Sequence, residues 1–507
     1  MSATNAEQKP AQPQKRAHAG EENGADDGIA NKTKKVDNGE INKNDLANTE
    51  NNLKASEAAD NEAISAEPKL TKKALEENKL ADREDGGEES DAERRNGFRK
   101  GRVALGHNGI TFDSEKIQNR RRGTEQESAQ NTTCSTSIPS LKYSINDLLF
   151  NLSDCSEERK LNGYKSKLLK QWELSANKGT LNYHVGNCKF RKLGGQYKIC
   201  LQLNEDRCRK RRKPMEFNSV CQPFDENLWN FTKLKQEECL FYMDRIKENS
   251  SQHSPEGLVS INASPLSVGH SLLIPSPQKC LPQILCFEAI KMSIELLLLI
   301  EDDNFLIIYN GLMAHASVNH LHLQTLFWPC KSGILEKTVK PKSTGWNWLF
   351  LLQRPDWYLP AFVFQLDNHN DVEKITKTLD ICVKLLIENG VAHNLFMCRS
   401  KQFNNRLNKA ENEINNEIPK ELVTIYLFPR KASKEGLFVG GSLTSTFVPA
   451  ALEVAGLLPV YDSDFFNSTN ESEILKIFNE RELISDEYFE QLANKLVNYL
   501  MEKVDEF

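Results

Sequence analysis

The sequence predicts an α+β protein of two halves, each an antiparallel sheet with covering helices, after a long disordered N-terminal tail. Three observations predict it. Up to about Ser137 the only aromatic residues are Phe98 and Phe112, in a background of Glu, Asn, Lys, Asp and Ala. Such a segment buries too little apolar surface to offset the entropy of ordering. Beyond it, short apolar runs and one long helical run follow in the order strand, strand, helix, strand, strand, the pattern of an antiparallel sheet covered by a helix. After Trp328 a similar order returns. The chain thus divides into a tail, 1–137, a first half, 138–335, and a second half, 336–507.

Composition narrows the class. The 507 residues are 39% hydrophobic, enough for two or three domains, and a mean hydropathy of -0.56 fits a chain of which part stays unfolded. A net charge of -6 and a pI near 6.0 give no reason to expect nucleic acid or a membrane as partner. No apolar run follows the N-terminal MSATNAEQKP, so no signal peptide is expected. The greasiest segment, Ile284 to Ile300, is interrupted by Glu288, Lys291 and Glu295 and reads as a buried helix. Twelve cysteines without a CxxC pair read as reduced thiols of a cytoplasmic protein, not as a disulfide framework or zinc site. The run Arg120-Arg121-Arg122 reads as solvated charge.

Order begins near Leu141, with Ser144 to Phe150 opening a short helix and Ser166 to Leu174 a second, anchored by Trp172. Lys198 to Leu203 alternates as a strand. The run Arg209 to Lys213 leaves two readings open: a nuclear-localisation signal, or one or two cations facing a phosphate-bearing substrate while the rest are solvated. Gln222 to Asp225 and Trp229 to Lys233 form an aromatic-rich connection expected to serve packing. Leu258 to Pro265, a strand ending in a turn, and Ser271 to Pro275 pair as an antiparallel hairpin, and a helix from Pro282 to Leu299 covers one face. Phe305 to Asn310 is the third strand, Gly311 to Val318 a loop, and Asn319 to Phe327 the fourth strand. In the second half, strands at Ala361 to Leu366, Asn394 to Cys398 and Val423 to Phe428 accompany a helix from Val372 that stops at Gly390. Lys401 to Lys420 is a polar connector, and Ser485 caps a terminal helix with an apolar stripe at Tyr488, Phe489, Leu492, Leu496 and Leu500.

The chemistry concentrates in His320-Leu321-His322-Leu323-Gln324. Side chains alternate across a strand, so His320, His322 and Gln324 share one face. Two imidazoles and an amide there suit attack on a phosphate: one imidazole as nucleophile, its neighbours orienting it and binding oxyanion oxygens. A structural histidine or half of a zinc site is the plainer alternative, and the flanking sequence weighs against both. His315, His369 and His393 are expected on loops or the surface, and Arg399, Arg430 and Lys431 in solvent.

The order Asn262-Ala263-Ser264-Pro265, Gly269-His270, Asn310, Ser317 and then His320 to Gln324 resembles the histidine-triad superfamily. Gln324, where hydrolytic members carry histidine, resembles the galactose-1-phosphate uridylyltransferase branch with its HPHxQ motif. Asn262 to Leu266, Ala316 to Leu323, Gln222 to Asp225 and Asn230 to Lys233 are similar to the GDP-D-glucose phosphorylases of animals, relatives of the plant GDP-L-galactose phosphorylases. The resemblance spans roughly Leu203 to Gly456, about half the chain.

It implies two histidine-triad-like halves, the second without the motif, and a nucleotidyl transfer from a GDP-hexose to inorganic phosphate. By resemblance His322 attacks the α-phosphorus and forms a guanylyl-histidine, His320 lies beside it, and Gln324 orients it and holds a phosphoryl oxygen. Asn310 and Ser317 match phosphate-contacting positions, His270 an outer histidine, and Asn262 the position facing the ribose. An amide at Gln324 cannot serve as a general acid, which suits a sugar-phosphate leaving group. No metal or other cofactor is implied, and a homodimer is possible by resemblance. A GDP-sugar hydrolase and a non-catalytic guanine-nucleotide-binding regulatory protein remain the alternatives.

Overall fold

The structure, a computed structural model, describes residues 137–186, 188–246, 256–403, 420–433, 438–439, 442–443 and 446–503. The N-terminal tail to 136 and most of the connector expected at Lys401 to Lys420 lie outside them.

In chain order, β1 (Ser140–Tyr143) leads to α1 (Glu157–Asn162), α2 (Tyr164–Ala176), β2 (Lys189–Lys192), β3 (Cys200–Leu203) and α3 (Glu205–Lys210). Then follow β4 (Cys239–Arg245), β5 (Gly257–Ile261), β6 (Ser271–Pro275), α4 (Phe287–Leu299), β7 (Phe305–Asn310) and β8 (Leu323–Phe327). The second half supplies β9 (Lys342–Ser343), β10 (Leu349–Leu352), β11 (Ala361–Leu366), α5 (His369–Glu388), β12 (Ala392–Lys401) and β13 (Glu421–Arg430). It closes with the short ladder β14 (Phe438–Val439) and β15 (Ser442–Leu443), then α6 (Ala451–Val454), β16 (Leu457–Val460), α7 (Ser463–Ser468), α8 (Glu471–Arg481) and α9 (Asp486–Glu502).

The fold is α+β with antiparallel pairing dominant, as the order of elements predicts. The two halves, however, share one eleven-stranded sheet, ordered β1-β4-β5-β6-β8-β7-β12-β13-β11-β10-β9. The halves meet where β7 pairs antiparallel with β12, Asn310 opposite Asn394. A second sheet, β16-β3-β2, lets the C-terminal part reach back to the first half.

Both faces of the main sheet are covered, which is why β7 reads as an unbroken apolar run. Phe305, Ile307 and Tyr309 point into a core under α4, α5 and α9, whereas Leu306 and Ile308 point into a second core with Trp328, Trp357, Phe396 and Tyr426. α5 is capped by the Asn368 side chain and followed by Gly390 at φ +67°. α9 begins with the Ser485 hydroxyl accepting from the Tyr488 N–H at 3.1 Å, and it buries Phe489, Leu492, Leu496 and Leu500. α4 is a buried helix whose Glu295 pairs with Arg245 at 3.0 Å and accepts from the Tyr143 hydroxyl at 2.9 Å. No helix among the described residues is long and apolar enough to cross a membrane.

Three expectations are corrected. Ser144 to Phe150 holds one 3-10 turn, Ile145–Asp147, because Asp147 folds back on the Ser144 N–H at 2.7 Å and the chain is extended again at Leu148. α4 starts at Phe287, not Pro282, since a tight turn from Pro282 to Ile284 precedes the extended Cys286. β8 starts at Leu323, not Asn319, because the Leu321 N–H donates to the Leu281 carbonyl and the His322 N–H to the Gln283 side chain rather than to a neighbouring strand.

Candidate active site

The ends of β5, β7 and β8 converge on a cavity of about 330 Å³. Asn262 follows β5, His270 precedes β6, Asn310 ends β7, and His322 and Gln324 enter and begin β8. Of the residues singled out in the sequence, His322, Gln324, Asn310, Asn262 and Ser317 line the cavity.

His322 is held by one nitrogen. Its Nδ1 lies 2.9 Å from Gln283 Oε1 and 2.8 Å from the His320 carbonyl oxygen. Both oxygens can only accept, so Nδ1 carries the proton and Nε2 keeps its lone pair. The orientation of the Gln283 amide is fixed independently: its Nε2 donates to the Asn310 and His322 carbonyls, both at 3.0 Å, and its Oε1 also accepts from the His322 N–H at 2.9 Å. The Gln283 backbone is pinned by Asn319 Oδ1 at 2.8 Å and by the Tyr309 hydroxyl at 2.7 Å. Burial, helped by His320 and the positive charge of Arg212, pushes the His322 imidazole down to about 4, so it is neutral near pH 7.

Gln324 is oriented by His270. The fully buried His270 accepts at Nδ1 from the Leu266 N–H at 2.9 Å, which leaves the proton on Nε2 to donate to Gln324 Oε1 at 3.1 Å. The Gln324 amide N–H₂ is thereby the end available to an oxygen in the cavity. Burial and Arg207 push His270 down to about 3. Asn262 Nδ2 sits 3.1 Å from the same His270 Nε2, and Asn262 Oδ1 accepts from the Ser264 N–H at 3.0 Å. Trp172 secures the other side of His270, donating from Nε1 to its carbonyl at 2.9 Å.

Asn310 ties the floor to the second half. Its Oδ1 accepts from Asn394 Nδ2 at 2.9 Å and from the Ala451 N–H at 2.8 Å, so its N–H₂ is the part left to donate. Arg430 donates to Asn394 Oδ1 at 2.6 Å and pairs with the buried Glu482. Glu453 and Tyr461 of the second half also line the cavity. Burial pushes the Glu453 carboxyl up to about 8, despite Arg207 and Arg211 nearby.

His320 does not line the cavity and shares no face with His322. Fully buried, it accepts at Nδ1 from the Phe231 N–H at 3.1 Å, and its ring meets Phe224 at 5.2 Å and Phe231 at 5.5 Å. Phe231 in turn lies 4.8 Å from the His322 ring. The aromatic connection expected to serve packing therefore also walls the site, Trp229 and Phe231 lining the cavity. Met215 donates its N–H to the Ser317 carbonyl at 3.2 Å, fastening the loop opposite.

The basic run divides. Arg211 and Arg212 line the cavity, Lys210 pairs with Asp206 at 3.0 Å, and Arg209 and Lys213 are exposed. His315 is not a surface residue: it lines the cavity 3.7 Å from Glu482 and is pushed well down by burial and by Arg430. His393, Arg399 and Arg430 are buried as well. Arg399 donates to the Leu149 carbonyl at 2.8 Å and the Phe150 carbonyl at 3.2 Å. His369 does stand at a helix start, edge-on to Phe150 at 4.6 Å. Sequence reasoning missed Gln283, Arg207, Glu453 and Tyr461; only Arg207 had a signal, its nearness to the basic run.

The family described as "GDPGP1-like, N-terminal domain" matches residues 163–326, and "GDPGP1-like, C-terminal domain" matches 351–503. GDP-D-glucose phosphorylase 1 of Caenorhabditis elegans is 36% identical over 386 residues, 74% of this chain and 78% of that protein. The Xenopus laevis protein of the same name is 29% identical over 408 residues, 72% of this chain and 97% of its own length. Among solved structures, yeast Ap4A phosphorylase Apa2 in complex with Ap4A aligns with a TM-score of 0.40 at 16% identity, covering 62% of this chain and 94% of that one.

Proposed function

The chain belongs to the GDP-D-glucose phosphorylase family, and on that premise we propose that it is a GDP-hexose phosphorylase converting GDP-D-glucose and inorganic phosphate to GDP and glucose 1-phosphate, with His322 as the nucleophile. The observation that carries the residue assignment is the pair of acceptors on His322 Nδ1, which leaves a neutral Nε2 lone pair at a cavity lined by amide donors.

In the first step Nε2 attacks the α-phosphorus, a P–N bond forms, and the P–O bond to the β-phosphate breaks with its electron pair leaving on glucose 1-phosphate. In the second, an oxygen of inorganic phosphate attacks the same phosphorus and the P–N electron pair returns to the imidazole, giving GDP. Both leaving groups depart without strong protonation, which fits a site whose third motif position is an amide. Gln324 and Asn310 donate to the non-bridging oxygens as charge builds there. His320 acts through its carbonyl on His322 and through its ring on Phe231, a positioning role. Asn262 faces the ribose, with His270 behind it and Gln324, and Ser317 adds a phosphate contact. Residues 138–335 supply the nucleophile and 336–507 the opposite wall. Its partners are small molecules, and the reduced cysteines fit the cytoplasm.

The test is GDP-glucose turnover with and without inorganic phosphate, for wild type and His322→Ala. Phosphate-dependent release of GDP and glucose 1-phosphate, lost in the variant, is the expected result. GMP release indifferent to phosphate makes the protein a hydrolase, and an unimpaired variant removes His322 from the mechanism.

A further inference from the structure

Three arginines share the cavity wall above His322. Arg207 comes from α3, and Arg211 and Arg212 from the segment just after it. Their positions are built. Arg207 donates to the Ser264 carbonyl, the Arg212 guanidinium lies 3.4 Å over the Trp229 ring, and Arg211 sits beside Tyr461. Among the described residues none of the three forms a salt bridge, in contrast to Lys210 in the same run, which has Asp206. Two carboxyls also line the wall: Glu238, which acts on Arg212, and Glu453, buried and drawn toward its neutral form, so three guanidinium groups face a single carboxylate. The wall therefore carries more positive charge than the protein itself neutralises. A cavity that keeps three guanidinium groups without a salt bridge is suited to a multiply charged anion, and the planar forks match phosphate oxygens.

Which anion follows from the chemistry proposed above, on which this inference rests. Attack on a phosphorus runs in line: the leaving group departs opposite the histidine, and the acceptor must arrive from the same side. The departing sugar phosphate and the incoming phosphate thus occupy one locus in turn. We infer that Arg207, Arg211 and Arg212 form this locus, a dianion subsite that binds the β-phosphoryl group of the GDP-hexose and then the inorganic phosphate that replaces it. It makes phosphate, rather than water, the acceptor, because a bound dianion is held where water alone would otherwise reach the guanylyl group.

The subsite is tested by binding and by kinetics on the full chain. GDP reaches it with its β-phosphate and GMP does not. Wild type is expected to bind GDP about tenfold or more tighter than GMP by titration calorimetry, the strength of charge-assisted contacts to one phosphoryl group. In Arg211→Gln and Arg212→Gln the preference shrinks, GMP affinity stays close to wild type, and the KM for inorganic phosphate rises by about tenfold. Arg212 is exposed, so its variant keeps the test open if the Arg211 variant melts early. Retention of either the GDP preference or the phosphate KM in both folded variants overturns the subsite. Failure of the phosphorylase reading looks different: turnover is then indifferent to phosphate in wild type, while the GDP preference, a binding measurement, stands or falls separately.

Discussion

Replacing Gln283 with leucine keeps the volume of the side chain and removes every hydrogen bond that it makes. Four contacts go: two donated to the Asn310 and His322 carbonyls at 3.0 Å, and two accepted from the His322 N–H and Nδ1 at 2.9 Å. Three buried backbone groups lose a partner, at about 1–3 kcal/mol each where nothing replaces it, so a stability loss of about 2–4 kcal/mol is expected after partial relaxation. The catalytic effect is separate. The His320 carbonyl, 2.8 Å from Nδ1, still accepts its proton, so the tautomer is weakened rather than reversed. A fall of about 10–100-fold in the guanylylation rate, or about 1.4–2.8 kcal/mol of barrier, is expected, with little change in nucleotide affinity.

The assay is single-turnover transfer of α-phosphate label from GDP-glucose to the protein, with a thermal melt on the same samples. Gln283→Glu supplies the contrast, because it keeps an acceptor for Nδ1 and loses both donors. If the leucine variant is folded and labels within about twofold of wild type, Nδ1 does not need its second acceptor and the tautomer argument is wrong.

Two further outcomes follow from buried charge. His270, His320, His322 and His393 are held by burial at about 3, 4, 4 and 4, against about 6.5 for histidine in an unfolded chain. Between those values unfolding takes up protons, so stability falls as pH drops from about 7 toward 4, and Tm should decline by several degrees by about pH 5 in a buffer series; a flat Tm refutes neutral burial of these rings. Arg430→Leu should cost about 3–5 kcal/mol in a denaturant titration, since it leaves Glu482 buried without its partner and Asn394 without a donor; a change under about 1 kcal/mol would mean the pair is not desolvated.

Local patterns in the sequence carried much of the fold. The run Phe305 to Asn310, the capped stripe of α9 and the Gly390 stop each announce themselves within a few residues, because burial periodicity and capping are local. His322, the proposed nucleophile, stood out for the same reason, as part of a motif. What was not legible depended on distant partners. The alternation of His320, Leu321 and His322 invited a strand, but the backbone N–H groups of Leu321 and His322 are taken by Leu281 and Gln283, so the two histidines turn apart. Gln283 itself stands before an apolar helix with no pattern to mark it. Arg399 and Arg430 read as solvated because nothing near them in sequence reveals the Leu149 carbonyl or Glu482.

The shared sheet also bears on how the protein is made. The outer edge of β7, apolar from Phe305 to Tyr309, stays open during synthesis until β12 emerges, because Asn310 waits for Asn394. At ordinary translation rates those roughly eighty residues take on the order of ten seconds. For that interval the nascent chain offers a sticky strand edge, the kind that pairs with a neighbouring polypeptide. The cavity wall at Glu453 and Tyr461 arrives later still. A ribosome stalled in the second half would therefore leave a chain that carries His322 yet has neither a finished pocket nor a closed sheet, a natural client for a chaperone.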